Sequence, residues 1–276
     1  MMNDSENTAG AGLSANTPGG AANARGSVEP PVDFAVITAL EVERKAVVGR
    51  LADAAKRQFD GEVLTYYAGT VPVPGEARPY TVVVTQLVDM GNTDAAVATA
   101  QALARWRPRN VLMVGIAGGL KGKVRLGDVV VARHGCYYEL AKLRPGAAEY
   151  RPQQFHADKL LLARAQHYEE ADWQAHIGVG RPDEGAEEPH PAVHVAPIAC
   201  GEKVVADPDE LARIVAVCPK MVALAMEGAG VGKAVSSVDH PPRYLEIRGI
   251  SDFAGPDKND DWHAYAANAA AAFAVG

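Results

Sequence analysis

The chain has 276 residues, 48% of them hydrophobic, and a formal net charge of −7 at pH 7. This length and composition suit one large α/β domain. The acidic balance, without a Lys/Arg run to neutralise phosphates, argues against nucleic acid or an anionic membrane as a partner. No apolar run of about 18 residues and no basic-then-apolar N-terminal segment occurs, so neither a membrane span nor a secretory signal is predicted.

The three cysteines are few and widely spaced, at Cys136, Cys200 and Cys218. Their odd number and their lack of metal-type spacing favour a reducing compartment and free thiols that act as small core residues. We therefore expect a cytoplasmic protein without a metal or an organic cofactor.

Residues 1–30 consist largely of Ala, Gly, Asn, Ser, Thr and Pro, with almost no large apolar side chain. Such a composition cannot bury enough surface to offset its ordering entropy, which predicts a disordered leader. At Asp33 the pattern changes abruptly, and residues 31–276 are predicted to form a single catalytic domain.

The first half of that domain alternates strands and helices. Residues 34–40 predict a buried strand, and the apolar spacing of residues 41–51 predicts a helix. Turn-rich residues separate a hairpin-like pair at 63–69 and 80–88. Asn92 or Thr93 can cap a helix that runs to Trp106. Two further strands are predicted at 110–115 and 127–135.

The second half contains two polar stretches, 139–154 and 178–191, which are predicted to be loops. Helices are predicted at 157–168, at 207–217 with Asp207 as the cap, and at 260–273, and a strand at 193–199. Alternation of this kind without an internal repeat predicts a mixed α/β sandwich of three layers.

The stretch from Met221 to Phe253 has the pattern of a β-α-β unit, with strands at 222–226 and 244–250 around a small-residue helix. Each strand ends in an acid, Glu227 on the first and Asp252 on the second. Ligands bind beyond the carboxyl ends of parallel strands, so both acids are predicted to face one pocket. The alternative is that they are ordinary first-turn and cap acids.

Residues 115–120 (GIAGGL) are rich in glycine and follow a predicted strand, so their backbone amides could approach a ligand closely. They match neither the dinucleotide fingerprint nor a P-loop, and a tight strand exit is equally consistent with them. Glu43 falls in the opening turn of the first helix. If the four strands are neighbours, Glu43, Gly118, Glu227 and Asp252 gather at the same edge.

Three carboxylates without metal ligands or a nucleophile–His pair suit a reaction that develops positive charge on its substrate. Cleavage of a glycosidic bond through an oxocarbenium-like transition state is such a reaction. One acid must be protonated for the leaving group while another stays ionised to orient water or a sugar hydroxyl.

Five blocks occur in the order and spacing of a known superfamily: ITALEVER, VGIAGGL followed by GDVVV, IACGEKVVAD, AMEGAG and IRGISDFA. The chain resembles the nucleoside phosphorylase and nucleosidase superfamily over residues 33–275, and most of all the 5'-methylthioadenosine/S-adenosylhomocysteine nucleosidases and their relatives. The resemblance implies a three-layer α/β/α sandwich with a central mixed, twisted sheet, a small purine nucleoside or nucleotide as substrate, and a homodimer or larger homo-oligomer.

The resemblance also implies roles for individual residues. Asp252 resembles the acid that protonates N7 of the departing purine, held by Ser251 and backed by Arg248. Glu43 resembles the carboxylate that positions and deprotonates the attacking water. The remaining matches are substrate-binding: Met226 and Glu227 beneath the ribose, Ala117 and Gly118 on the sugar and water side, and Val204 and Val205 at the base.

Three departures from the family pattern bear on the substrate. Phosphorylases have an Arg where this chain has Met113, and an apolar side chain cannot satisfy a buried phosphate, so water is the expected nucleophile. Nucleosidases usually have an aromatic residue where this chain has Val204, and a further Glu where it has Ala225.

The family resemblance leaves several functions open. Residues 247–274, together with YYELAKL at 137–143, also resemble nucleosidase modules fused to signalling or defence proteins, some of which hydrolyse adenine nucleotides such as AMP or ATP. Lys142, Arg144 and Arg151 could then meet phosphates, although a solvated basic loop explains them equally well. A purine nucleoside phosphorylase and a purine-binding sensor without turnover are also compatible with the sequence.

Overall fold

A computed structural model describes residues 29–168, 173–183, 190–255 and 259–276. Residues 1–28 of the predicted leader lie outside them. The strands are β1 (Phe34–Thr38), β2 (Ala52–Gln58), β3 (Thr65–Val71), β4 (Tyr80–Gln86), β5 (Asn110–Gly119), β6 (Val129–Tyr137), β7 (Ala141–Arg144), β8 (Ala147–Tyr150), β9 (Gln153–His156), β10 (Val193–Cys200), β11 (Ala223–Ala225) and β12 (Arg243–Phe253). The helices bounded within these residues are α1 (Glu41–Val48), α2 (Asn92–Trp106), α3 (Lys159–Gln166), α4 (Pro208–Val217), α5 (Gly228–Ser236) and α6 (His263–Val275).

A mixed ten-stranded sheet runs through the centre in the order β11-β10-β6-β12-β5-β1-β4-β3-β2, with β9 beside β6. Helices α2 and α5 pack together on one face, and α1 and α6 on the other. Side chains alternate between the faces, so Val36 joins the core under α1 while Ile37 joins the core under α2. The predicted three-layer sandwich with a central mixed sheet is confirmed.

The sheet curls at the end that carries β11. Strand β11 pairs in parallel with β10 and antiparallel with β5, where Leu224 opposes Gly118. Strand β12 lies instead between β5 and β6. The prediction of a β-α-β unit in a parallel sheet is therefore wrong, because its two strands are not a parallel pair. The glycine-rich residues 115–119 are the reason, since they continue β5 as strand and reach β11.

Two further segments differ from the prediction. The predicted loop 139–154 contains the hairpin of β7 and β8 and the start of β9, which pairs His156 with His134 on β6. Strand β2 was not predicted; its sequence, ADAAKRQ, is exposed throughout and has no apolar alternation. Tertiary pairing, which leaves no hydrophobic period in the sequence, forms these strands.

Helix α6 lies directly on β12, the strand that carries Ser251 and Asp252. A Cβ at Gly249 would overlap the backbone carbonyl of Ala266, so glycine is required for this close approach. The helix is built mainly of alanine, and most of its side chains are buried. Close backbone packing gives β12 a rigid support beneath the site.

The structure corrects the expectation of three free thiols. Cys136 on β6 and Cys218 at the end of α4 form a disulfide, and Cys200 is free and buried. The bond joins residues 82 apart in sequence. Sequence spacing could not indicate this pair, because only the packing of α4 on β6 brings the two sulfurs together.

Reduction of this disulfide is expected to lower the free energy of unfolding by about 2–4 kcal/mol, since a long closed loop restricts the unfolded chain. Urea unfolding with and without a thiol reductant measures the difference. The double substitution Cys136→Ser and Cys218→Ser should match the reduced parent, whereas Cys200→Ala should keep the response to reductant. Equal stability of the oxidised and reduced parent would contradict the prediction.

Candidate active site

Strands β1, β5 and β12 are mutually parallel, so their carboxyl ends meet at one edge of the sheet. Helix α1 begins three residues after β1 and helix α5 three residues after β11. Strand β11 runs antiparallel to β5, yet the structure brings Glu43, Gly118, Glu227 and Asp252 to the same end of the sheet. Their chemical roles stay predictions.

Glu43 is 2% exposed and is held by three backbone N–H groups. Its Oε2 accepts hydrogen bonds from Ala39 at 2.7 Å and Leu40 at 2.8 Å. Its Oε1 accepts one from Ile116 at 2.8 Å. Burial raises the pKa of Glu43, while Arg248 and the backbone donors oppose the rise. A carboxylate has about four acceptor positions, and these three backbone bonds occupy three of them.

Arg248 is fully buried and connects three groups. Its Nη2 donates to Oε2 of Glu227 at 3.0 Å, its Nη1 to the carbonyl of Ile116 at 3.2 Å, and its Nε to Oε1 of Glu246 at 2.8 Å. We expected Arg248 to back Asp252. These bonds instead place it beneath Glu227 and beside the residue that holds Glu43.

Asp252 is 7% exposed and lies on β12 beside Gly118. The register of β12 against β5 shifts between Ile250 and Asp252, which is a β-bulge. A bulge re-aims side chains, and here Ser251 and Asp252 both line one recess of about 200 Å³. The Ser251 hydroxyl donates to Oδ2 of Asp252 at 2.9 Å, as predicted for the residue that holds this acid.

Residues predicted at the base and beneath the ribose share one small cavity of about 60 Å³. Val204, Val205 and Met226 line it together with Gly118 and Asp252. Val204 is 57% exposed, whereas Val205 is buried in the core beneath the cavity. Ala117 contributes the carbonyl that lies 3.5 Å from the Ser251 hydroxyl.

Asn92 was predicted as a possible helix cap, but Gly91 holds the cap position of α2. The Asn92 side chain donates to the carbonyl of Gly201 at 3.0 Å and to Oε1 of Glu202 at 3.1 Å. Its Oδ1 accepts from the backbone N–H of Gly230 at 2.8 Å. Asn92 therefore ties the segment before Val204 to the first turn of α5, a role that its local sequence does not indicate.

Glu246 is the other residue of the site that sequence reasoning missed. It is fully buried on β12 and shares Arg248 with Glu227. The signal was present, since Glu246 is an acid between the apolar residues Leu245 and Ile247 of the predicted strand. Buried charges of this kind are rare unless they are paired.

Residues 33–275 match the family described as the phosphorylase superfamily. The chain belongs to the phosphorylase superfamily. Its similarity to "ATP nucleosidase Cap17" of Escherichia coli (strain KTE188) is 31% identity over 86% of this chain and 49% of that protein. The chain thus spans about half the length of the first curated relatives it matches. A 5'-methylthioadenosine/S-adenosylhomocysteine nucleosidase of Maridesulfovibrio salexigens is 27% identical over 79% of this chain and 84% of that protein.

Solved structures of the superfamily superpose on nearly the whole chain. The methylthioadenosine/S-adenosylhomocysteine nucleosidase of Neisseria meningitidis, in complex with methylthio-immucillin-A, has a TM-score of 0.69 at 25% identity and covers 88% of this chain and 96% of its own. The enzyme of Colwellia psychrerythraea, in complex with adenine, has a TM-score of 0.70 at 23% identity and covers 89% of this chain and 93% of its own. The resemblance inferred from the five sequence blocks is confirmed.

The described residues were also compared with the patterns of a metal site and of a membrane-spanning helix. In the described part of the chain, no group of three or more His, Cys, Asp or Glu residues is arranged to hold a metal ion. None of the described helices has the length and apolar character needed to span a bilayer.

Proposed function

We propose that this phosphorylase superfamily member is an N-glycosyl hydrolase that cleaves adenine nucleosides or their 5'-substituted derivatives, of the methylthioadenosine/S-adenosylhomocysteine type, without a metal or an organic cofactor. In this reaction Asp252 gives a proton to N7 of the purine as the bond from N9 to the ribose breaks. A water molecule adds its oxygen to C1' and passes its proton to Glu43. The products are free adenine and the ribose moiety.

The observation that carries this proposal is that the two acids have different surroundings. Asp252 shares a recess with Ser251 and lines the cavity at Val204, while Glu43 is buried and held by three backbone N–H groups, which suits an acid that stays ionised to accept a proton from water. Both described hydrogen bonds of Glu227, from Met226 and Arg248, fall on its Oε2. Oε1 of Glu227 is therefore the atom available to ribose hydroxyls. Charge built up in the oxocarbenium-like transition state is stabilised by these acids.

Water is favoured over phosphate as the nucleophile because of Met113. This residue is fully buried on β5, in the core between the sheet and α2. Superfamily members that use phosphate are expected to have an Arg at this position. A buried methionine offers no hydrogen bond to an anion, and an unpaired buried anion is very costly.

An adenine-nucleotide substrate is the second candidate, supported by the similarity to an ATP nucleosidase. Two of the three predicted phosphate contacts already pair with an acid. Arg144 and Arg151 both pair with Glu149, at 3.0 Å and 2.7 Å.

The proposal also includes the cellular location and the oligomeric state of the protein. We keep the expectation of a cytoplasmic location, although the Cys136–Cys218 disulfide removes the argument from free thiols. Alkylation in cell extracts tests it: thiols at both positions that react with the reagent would support a reducing cytoplasm, and an intact disulfide would contradict it. We also keep the expectation of a homodimer or larger homo-oligomer, with a small purine nucleoside or nucleotide as the only ligand and neither nucleic acid nor membrane as a partner. Light scattering of the purified protein measures the assembly.

The function is tested by chromatographic detection of free base. Pure protein is incubated with methylthioadenosine, S-adenosylhomocysteine, adenosine, inosine, AMP and ATP, each with and without phosphate. Release of adenine from the thioether substrates without phosphate is the expected result. Release confined to AMP or ATP would support the nucleotide candidate, and strict dependence on phosphate would overturn the argument from Met113. Binding without any release would indicate a purine sensor.

Substitution of Val204 by Phe is expected to tighten adenine binding about tenfold, because stacking of a base on an aromatic ring contributes about 1–3 kcal/mol. Val204 is 57% exposed at the base cavity, so a larger ring meets no packed neighbour there. Titration calorimetry with adenine measures the change. The matched control is Val238→Phe, at another partly exposed valine on the turn after α5, which should leave adenine affinity as in the parent. Unchanged affinity in Val204→Phe would contradict the assignment of Val204 to the base.

A further inference from the structure

The carboxylate of Glu246 has one strong partner. Oε1 accepts the Nε of Arg248 at 2.8 Å, whereas Oε2 is inaccessible to solvent and makes no well-aligned hydrogen bond. The Tyr244 hydroxyl interacts with the same carboxylate, although it donates to the carbonyl of Gly228 at 2.9 Å. The fold reserves space for this side chain. A Cβ at Gly228 would overlap both Glu246 oxygens, and a Cβ at Gly135 would lie 3.7 Å from Oε2.

A carboxylate in this position is costly. Arg248 already has Glu227 as a buried partner, and Glu43 also lies near it, so Glu246 adds a third acid around one guanidinium. Burial raises the pKa of Glu246 above its ordinary value. The neighbouring strand residues Leu245 and Ile247 are apolar and buried, and an apolar side chain would fill the position without this penalty. The presence of an acid at position 246 therefore indicates a role other than packing.

The geometry of the guanidinium indicates that role. The group is planar and its five N–H donors form a rigid fork, so a bond to Nε fixes the directions of both Nη atoms. With Nε bound to Glu246, Nη2 meets Glu227 and Nη1 meets the carbonyl of Ile116. Ile116 also donates its N–H to Glu43. One guanidinium therefore connects the acid assigned to the ribose with the residue that holds the acid assigned to water.

We propose that Glu246 is a positioning residue for glycoside hydrolysis: it holds Nε of Arg248 and so fixes Glu227 and the Ile116 segment relative to each other. This inference rests on the proposed function of the site. Glu246 touches neither base nor ribose in this arrangement, so its effect passes through Arg248. The proposal requires an acceptor atom at Nε, and an amide oxygen supplies it as well as a carboxylate oxygen does.

The test compares Glu246→Gln with Glu246→Leu. Gln keeps the acceptor and is expected to leave kcat and KM within about threefold of the parent, since one neutral hydrogen bond replaces a charged one. Leu removes the acceptor in a similar volume and is expected to lower kcat about 10–100-fold, the effect of a small misplacement of reacting groups. It should also weaken nucleoside binding while adenine binding, which depends on the cavity at Val204 and Asp252, stays as in the parent.

The outcomes separate this proposal from the function itself. Adenine release by the parent tests the function, and calorimetry with adenosine and adenine tests the positioning role even on a chain that does not turn over. Equal nucleoside affinity and kcat in the folded Leu variant and the parent would overturn the proposal. So would losses in the Gln variant as large as those in Leu, with both variants folded by circular dichroism. Rescue by Gln together with the split between adenosine and adenine would support it.

Discussion

Replacement of Asp252 by Asn is expected to abolish the release of adenine, with kcat lowered by a factor of about 10²–10⁴. Asn has nearly the same shape but cannot give a proton to N7, so the leaving group departs as an unprotonated anion. Nucleoside affinity should stay within about tenfold, a change of order 1.4 kcal/mol. Chromatography of released base and calorimetry with a nucleoside measure the two quantities separately.

Asp33→Asn is the matched control for this variant. Asp33 is also a buried aspartate, but it lies at the start of β1, where Arg78 and Thr81 donate to it at 2.8 and 2.9 Å. The bonds from Arg78 and Thr81 lower its pKa from 3.8 to about 2. Its contribution to stability is therefore present above pH 3.8 and lost as the pH falls towards 2. Asp33→Asn should lose stability at neutral pH while kcat of the folded fraction stays normal.

A loss of nucleoside affinity as large as the loss of base release would contradict the role given to Asp252. It would mean that the residue serves binding or folding, since an acid used only in the transition state affects kcat without affecting affinity. The substitution Ser251→Ala gives an intermediate case. It removes the 2.9 Å hydrogen bond to Oδ2 of Asp252 and leaves the carboxyl group itself in place, so a smaller loss of kcat is expected.

Replacement of Glu43 by Gln is expected to have the second large effect. Both oxygens of Glu43 accept backbone N–H groups, so the NH₂ of Gln must face a donor whichever way it is turned. This mismatch should cost about 1–3 kcal/mol of stability, and the loss of the base for water should lower kcat by about 10²–10⁴. Urea unfolding and single-turnover kinetics measure these changes.

The pH dependence of kcat provides an independent measurement of the same residue. Glu43 must be ionised to accept a proton from water, and burial raises its pKa above the ordinary 4.5. Activity should therefore be lost as the pH falls through this raised pKa, at a pH above 4.5, and the residual activity of Glu43→Gln should not show this acid limb. Glu41→Gln is the control on the same helix, because Glu41 is exposed and paired with Lys45 at 3.0 Å. An unchanged acid limb in Glu43→Gln would contradict the assignment.

Local sequence signals predicted those parts of the fold whose burial is periodic. The apolar run of β1 and the acids that open α1 placed Glu43, and the Asp207–Pro208 pair placed the start of α4, where the Asp207 side chain accepts the Asp209 N–H at 2.9 Å. The five motif blocks identified the superfamily because each combines a strand end with a residue of the site. The order and spacing of these blocks along the chain match a known fold, which hydrophobic periodicity alone does not identify.

The remaining features depend on contacts between segments that are distant in sequence. The disulfide needs α4 against β6, and the antiparallel pairing of β11 needs the strand-like extension of residues 115–119. The true partners of Arg248 become visible only when β12 lies between β5 and β6. Glu246 was detectable as an acid in an apolar strand, but its partner lies two residues away on the same face, which a pattern of exposed and buried positions does not show.

The space beside Gly115 has a consequence for other members of the superfamily. A Cβ at this position would overlap Oε1 of Glu43 and would lie 2.8 Å from Nη1 of Arg248. The residue at position 115 therefore limits which side chain fits at position 43, although the two positions are far apart in the chain. A homologue with a side chain at the first position cannot seat a glutamate at the second in this way. An alignment of homologous sequences at positions 115 and 43 should therefore show a buried glutamate at position 43 only where position 115 is glycine.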